Sequence, residues 1–339
     1  MKAAALVCWI SQFAIIAVGD DRADSFHRGS PSQSQPSVPS EKPAKAAAES
    51  TPFVGSRDGQ EWSANGLGTK FVWCPPGFVT MGQVEQVVER RIRAKQGKAV
   101  DEEDEVEPNP DDVETIVREV TTPVKTYITR GYWLGKYEVT RGEWKQVMQT
   151  EPWKGQGDAP EGDLYPASFV NWEDAMAFCR SWTRTEREAG RLPEDWEFTL
   201  PTEAQWERAC RARSTTKYSF GDDESQYGDY AWYIRNAHEK GEPYPHVVGG
   251  KLPNAWGLHD MHGNAWEWCR DWYQEKLPGG RDPEVTQGRG ARVYRGGAYG
   301  NQPIHSSSSF RYYRPPTFCN GGVGFRAALT AVVANKPAK

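Results

Sequence analysis

The first segment with a readable hydrophobic rhythm is FVWCPPGFVTMG, residues 71–82, where apolar and small residues alternate on either side of Pro75-Pro76-Gly77. That pattern predicts a pair of strands around a turn. VKTYITRGYWLGKYEVT, residues 124–140, reads as one or two further strands, with Val124, Tyr127 and Thr129 as strand formers and Gly131 as the interruption. The period then becomes helical. Thr140 and Glu143 spell a capping box ahead of an apolar face of Trp144, Val147 and Met148. Asn171 can cap a second helix whose Ala175, Phe178, Cys179 and Trp182 recur at helical spacing. Thr202 with Gln205 caps a third, in which Trp206 and Cys210 lie four apart. Cys179 and Cys210 therefore read as small buried apolar groups before reactive thiols. Beyond Arg213 there is no long helical period, only short segments rich in Gly, Asn, Trp and Tyr. Helices in the first half and irregular β structure in the second predict an α+β domain.

The flanks have a different character. Residues 1–19, MKAAALVCWISQFAIIAVG, place Lys2 before an apolar run that ends in Ala17-Val18-Gly19, the pattern of a secretory signal peptide. An uncleaved anchor is the alternative, and either predicts a folded part outside the cytoplasm, exported to a periplasmic, cell-surface or extracellular location. Residues 20–64 are rich in Ser, Pro, Lys, Ala and Glu and predict a disordered tether. The domain is then expected over 65–331, with an acidic insertion at about 84–119 that contains DEEDEVEPNPDD, and a short tail at 332–339. Loss of Cys8 with the signal leaves five cysteines, and an odd number implies at least one free thiol or an intermolecular bridge. A mean hydropathy of −0.76 argues against a membrane span in the mature chain. A formal charge of −5 argues against a nucleic-acid partner.

Several catalytic signatures are missing from the sequence: GxGxxG after a strand, GxxxxGK[ST], GxSxG and HExxH. His259-Asp260-Met261-His262 puts two imidazoles beside a carboxylate, but in a Gly-bounded stretch where the rings need not converge. Asp260, Glu267 and Asp271, with nearby carbonyls, offer the oxygen ligands that calcium takes. Ser306 to Ser309 next to His305 reads as a polar loop rather than a nucleophile with its base.

Four segments, FVWCPPGFVTMG, WLGKYEVTRGEWKQVM, LPTEAQWERACRA and NAWGLHDMHGNAWEWCRDWY, together with RVYRGGAY and GVGFRAAL, resemble the sulfatase-modifying-factor domain of formylglycine-generating enzymes. The resemblance covers roughly Phe71 to Leu329 without the acidic insertion. It implies a single domain with a C-type-lectin-like core, little regular secondary structure, and Trp266, Trp268 and Trp272 in the core. In that family two cysteines after the Gly-Gly-x-aromatic segment bind copper. Counting from Gly296-Gly297-Ala298-Tyr299, the corresponding positions are Asn301 and Ser306, which supply no thiolate, so neither copper nor the oxidase reaction is expected. Cys319 is no obvious substitute, and the family's partners for Cys179 and Cys210 are replaced by Ala327 and Arg311. The family's calcium positions correspond to Asp260, Gly263, Ala265 and Glu267, while a second calcium site has no counterpart between Tyr230 and Asn254. The resemblance further implies a groove near Asn301, His305, Ser306, Arg311 and Arg314 for a peptide or glycan, with a sulfatase among its partners. An oxidase with another centre and a scaffold module are the competing readings. Arg295, Arg311 and Arg326 either face a ligand there or hold loop carboxylates in place.

Overall fold

A computed structural model describes residues 53–82, 86–92, 113–119, 122–156 and 160–332. The signal segment, most of the tether, the acidic run at 101–112 and nearly all of the tail lie outside them. The first half contains β1 (Glu61–Trp62), β2 (Phe71–Cys74), β3 (Gly77–Met81), β4 (Gln86–Ile92), β5 (Val113–Glu119), β6 (Val124–Ile128), β7 (Tyr132–Gly135), α1 (Arg141–Met148), α2 (Trp172–Glu188), β8 (Trp196–Thr199) and α3 (Glu203–Arg211). The second half contains α4 (Tyr227–Tyr230), β9 (Trp266–Trp272), β10 (Gly280–Arg281), β11 (Arg292–Arg295), β12 (Tyr312–Arg314), β13 (Val323–Gly324) and β14 (Ala328–Ala331). Short strands outnumber helices, and the chain forms an α+β domain with a C-type-lectin-like core.

The three helix starts follow the capping chemistry. Thr140 Oγ1 accepts from the Glu143 amide and the Glu143 carboxylate accepts from the Thr140 amide at 2.7 Å. Asn171 caps α2 through the Asp174 amide, and Thr202 and Gln205 close a capping box on α3. Trp144 and the α2 face of Ala175, Phe178, Cys179 and Trp182 are buried against the largest sheet, ordered β1-β2-β7-β14-β8, where Trp182 stacks on Phe198 at 3.9 Å. A second core holds Trp206, Cys210, Leu258, Met261, Cys269 and Val293, joining α3 to the sheet β12-β11-β9-β13.

Two expectations need correction. The strands around Pro75-Pro76-Gly77 exist but do not pair with each other: β2 joins β7, and β3 joins β6 in a separate sheet, β10-β6-β3. The two prolines bring no amide donors, and Arg208 binds the carbonyls of Pro75, Pro76 and Phe78, which carries the chain off β2. The domain also begins before residue 65. Phe53 packs on Trp62 and Trp196, and β1 pairs with β2, so aromatic burial recruits residues that composition assigns to a tether. Within the expected insertion, β4 and β5 pair antiparallel.

Candidate functional site

The loop between β11 and β12 is shaped by its glycines. Gly296 and Gly297 have φ of +97° and +78°, and a Cβ on Gly297 would overlap the Ser306 hydroxyl, so the loop folds back onto its own start. Asn301 is half-buried and locked in this turn: its amide oxygen accepts from the Ala298 N–H at 2.9 Å and its carbonyl accepts from the Ile234 N–H. His305 is half-buried, with its ring 5.2 Å from Phe310. Ser306 to Ser309 are fully buried, which overturns the polar-loop reading. The buried backbone of this run is satisfied, because its carbonyls are used by buried donors. His262 Nδ1 donates to the Ser306 carbonyl at 2.9 Å, and Arg295 donates to the Ser308 and Ser309 carbonyls.

The two histidines serve different loops. The other His262 nitrogen accepts from the Ser219 amide at 3.0 Å, and burial pushes the His262 pKa down to about 4, so this imidazole is neutral. His259 bonds the Lys251 carbonyl at 2.7 Å and packs on Tyr137.

The arginines hold carboxylates. Arg311 forms a two-point pair with Glu203 at 2.6 and 2.8 Å and binds the carbonyls of Gln274 and Glu275. Burial works against ionised Glu203, yet Arg311 and Arg295 hold its pKa below the usual carboxylate value. Arg295 also pairs with Glu207, which takes Arg211 from the next turn of α3. Arg326 meets both Glu267 oxygens and donates to the carbonyls of Gly135 and His259. Arg311 and Ser306 thus leave the list of ligand-facing residues: one is committed to Glu203 and the other is enclosed. Arg314 differs. It lies 4.9 Å from the Tyr312 ring and 5.3 Å from Phe318, with no carboxylate partner among the described residues. Trp266 and Trp268 are buried as expected, whereas Trp272 lies at the rim, where Arg292 sits 3.7 Å from both the Trp172 and Trp272 rings.

The two carboxylates among the expected calcium positions differ in how far they are engaged. Asp260 accepts from the Gly249 amide at 2.7 Å and keeps a buried oxygen without a hydrogen bond, as does Glu138. Burial pushes Asp260 up to about 6 and Glu138 well above its ordinary value. Glu267 has no such opening, because Arg326 and the Trp206 indole N–H occupy its oxygens. A calcium ion at Glu267 would have to share the carboxylate with a buried guanidinium. Among the described residues no three His, Cys, Asp or Glu side chains are arranged to hold a metal ion.

The thiols are separate. Cys74, Cys179, Cys210 and Cys269 are buried and free, and Cys319 is exposed. Burial pushes Cys74 and Cys210 up to about 12 and Cys179 and Cys269 upward as well, disfavouring thiolate. Sequence reasoning missed Glu138, Glu203 and Glu207. The one local signal is the i, i+4 spacing of Glu203, Glu207 and Arg211 on α3.

Comparison with known proteins adds the lineage. The chain is 33% identical over 184 residues to the formylglycine-generating enzyme of Streptomyces coelicolor, covering 49% of this chain and 53% of that one. It therefore spans about half the length of that relative. It is 26% identical over 247 residues to the chaperone protein LppX of Paenibacillus barcinonensis, covering 59% and 79% of the two chains. The structure of PvdO from Pseudomonas aeruginosa superposes with a TM-score of 0.60 at 20% identity, covering 81% of this chain and 99% of that one. The description of the sulfatase-modifying factor enzyme 1-like domain matches residues 60–331, most of the length, and the chain belongs to that family.

Proposed function

We propose that this domain is an exported binding or accessory module that holds a peptide or glycan, and that it does not carry out copper-dependent conversion of cysteine to formylglycine. The observation that carries the reading is the state of Asn301 and Ser306: an amide tied into a turn and a hydroxyl enclosed in the core, neither able to act as a soft metal ligand. The binding surface is the outer side of the loop and β12, the edge strand of its sheet. Phe310, Tyr312, the 45% exposed Tyr313 and Arg314 line this edge, and aromatic rings with an arginine are the usual anchors of recognition surfaces. An edge strand also offers main-chain groups to an extended peptide. A relative named as a chaperone protein supports an accessory role.

Relatives named formylglycine-generating enzyme favour the oxidase as the second reading. A cysteine-containing sulfatase-motif peptide, incubated with the purified domain, copper, oxygen and a thiol reductant, is expected to retain its cysteine mass. Retention of that peptide or of glycans on the immobilised domain is expected to fall about tenfold in Arg314→Ala. Formylglycine formed in proportion to active protein would overturn the proposal, and equal retention by Arg314→Ala would remove β12 from it.

A further inference from the structure

A cavity of about 600 Å³, sharing no residue with the loop 296–314, opens between β3, β6 and the C-terminal end of α3. That volume is in the range of small-molecule sites. Its described lining contains four cations, Lys125, Arg208, Arg211 and Arg213, and no carboxylate.

Their charges are incompletely neutralised. Arg208 spends its N–H groups on the carbonyls of Pro75, Pro76 and Phe78 and lies 5.4 Å from the Trp256 ring, so only neutral partners meet it. Arg211 pairs with Glu207, but the same carboxylate serves Arg295. Arg213, with a side chain 70% exposed, reaches Asp58 at the surface, and such a pair is weak in water. Lys125 has no carboxylate partner among the described residues. The partial negative charge at the end of α3 offsets about half a unit. A recess walled by one sign of charge concentrates the opposite sign.

The mouth adds a second feature. Phe78 is 77% exposed, an unusual state for phenylalanine, and it is held in place 4.4 Å from the Tyr127 ring. Ser214 and Thr215 line the same cavity, and the Ser214 hydroxyl donates within its own loop to the Tyr218 carbonyl at 3.2 Å.

We propose that this cavity binds a phosphate or sulfate monoester whose flat apolar body stacks on Phe78. The ends of Lys125 and Arg213 contact the oxyanion, the Thr215 hydroxyl donates to it, and Arg208 and Arg211 supply field from behind. Isothermal titration of the full chain with phenyl phosphate, phenyl sulfate, inorganic phosphate and phenol tests this assignment. Saturable binding of an ester, with none for phenol, is expected, and the tighter ester identifies the oxyanion. Binding should weaken with added salt as exposed charges are screened. The double variant Lys125→Ala/Arg213→Ala should lose about tenfold in affinity, and Phe78→Ala should weaken phenyl phosphate while leaving inorganic phosphate unchanged. All three side chains are surface groups, so an unshifted thermal transition will confirm intact folding in the variants. Absence of saturable ester binding, phenol binding as tightly as the esters, or unchanged affinity in the double variant would each overturn the proposal.

Discussion

Arg326 is fully buried, and its charge is met by the two Glu267 oxygens and by carbonyls from three other positions. Removing one partner of such a pair leaves a carboxylate in a medium that cannot solvate it, at a cost of about 3–5 kcal/mol. Arg326→Ala should therefore lower the free energy of unfolding in denaturant titrations by about that amount, while Arg326→Met combined with Glu267→Leu should recover most of it. Because the guanidinium already neutralises Glu267, a calcium chelator should leave the unfolding midpoint of the native chain unchanged. A fall on chelation would restore calcium to this position. The sequence placed Arg295, Arg311 and Arg326 near the important loops but left open whether they face ligand or carboxylate. The reason is distance along the chain: Arg326 and Glu267 are 59 positions apart, Arg311 and Glu203 108 apart, and no local pattern encodes those meetings.

At the scale of elements, the information that was legible is local. Thr140, Asn171 and Thr202 cap their helices because the donor and acceptor lie within three residues of each other, a distance that sequence fixes directly. Thr202→Ala should destabilise the chain by about 1 kcal/mol, measurable as a lower denaturant midpoint with an unchanged slope. The loss should be greater than for a surface threonine, because α3 carries Glu203 and Glu207, to which Arg311 and Arg295 are anchored. Unchanged stability would mean that those buried pairs, not the cap, fix the start of α3. Strand partners were less legible. The alternation in FVWCPPGFVTMG marks two strands correctly, but β2 and β3 find their partners far along the chain, at β7 and β6, with residues 75–131 and 82–123 between them.

At the scale of the molecule, the ordered motifs identified the family and its fold, whereas burial of the serine run and the positions of the thiols emerge only when the loops are closed. A small alkylating reagent should modify Cys319 in the native chain and reach Cys74, Cys179, Cys210 and Cys269 only after denaturation, as read by intact mass. Rapid native labelling of any of the four would show that its core opens on that timescale. The order of the main sheet has one more consequence. β14 lies between β7 and β8, pairing with both, although it is the last of the three to be made. On a ribosome, β7 and β8 emerge with a vacant seat between them, and that seat is filled only when residue 331 is free to move. The sheet is thus completed by a late, non-local event, and a nascent chain held short of residue 328 presents two unpaired edges to any neighbouring strand.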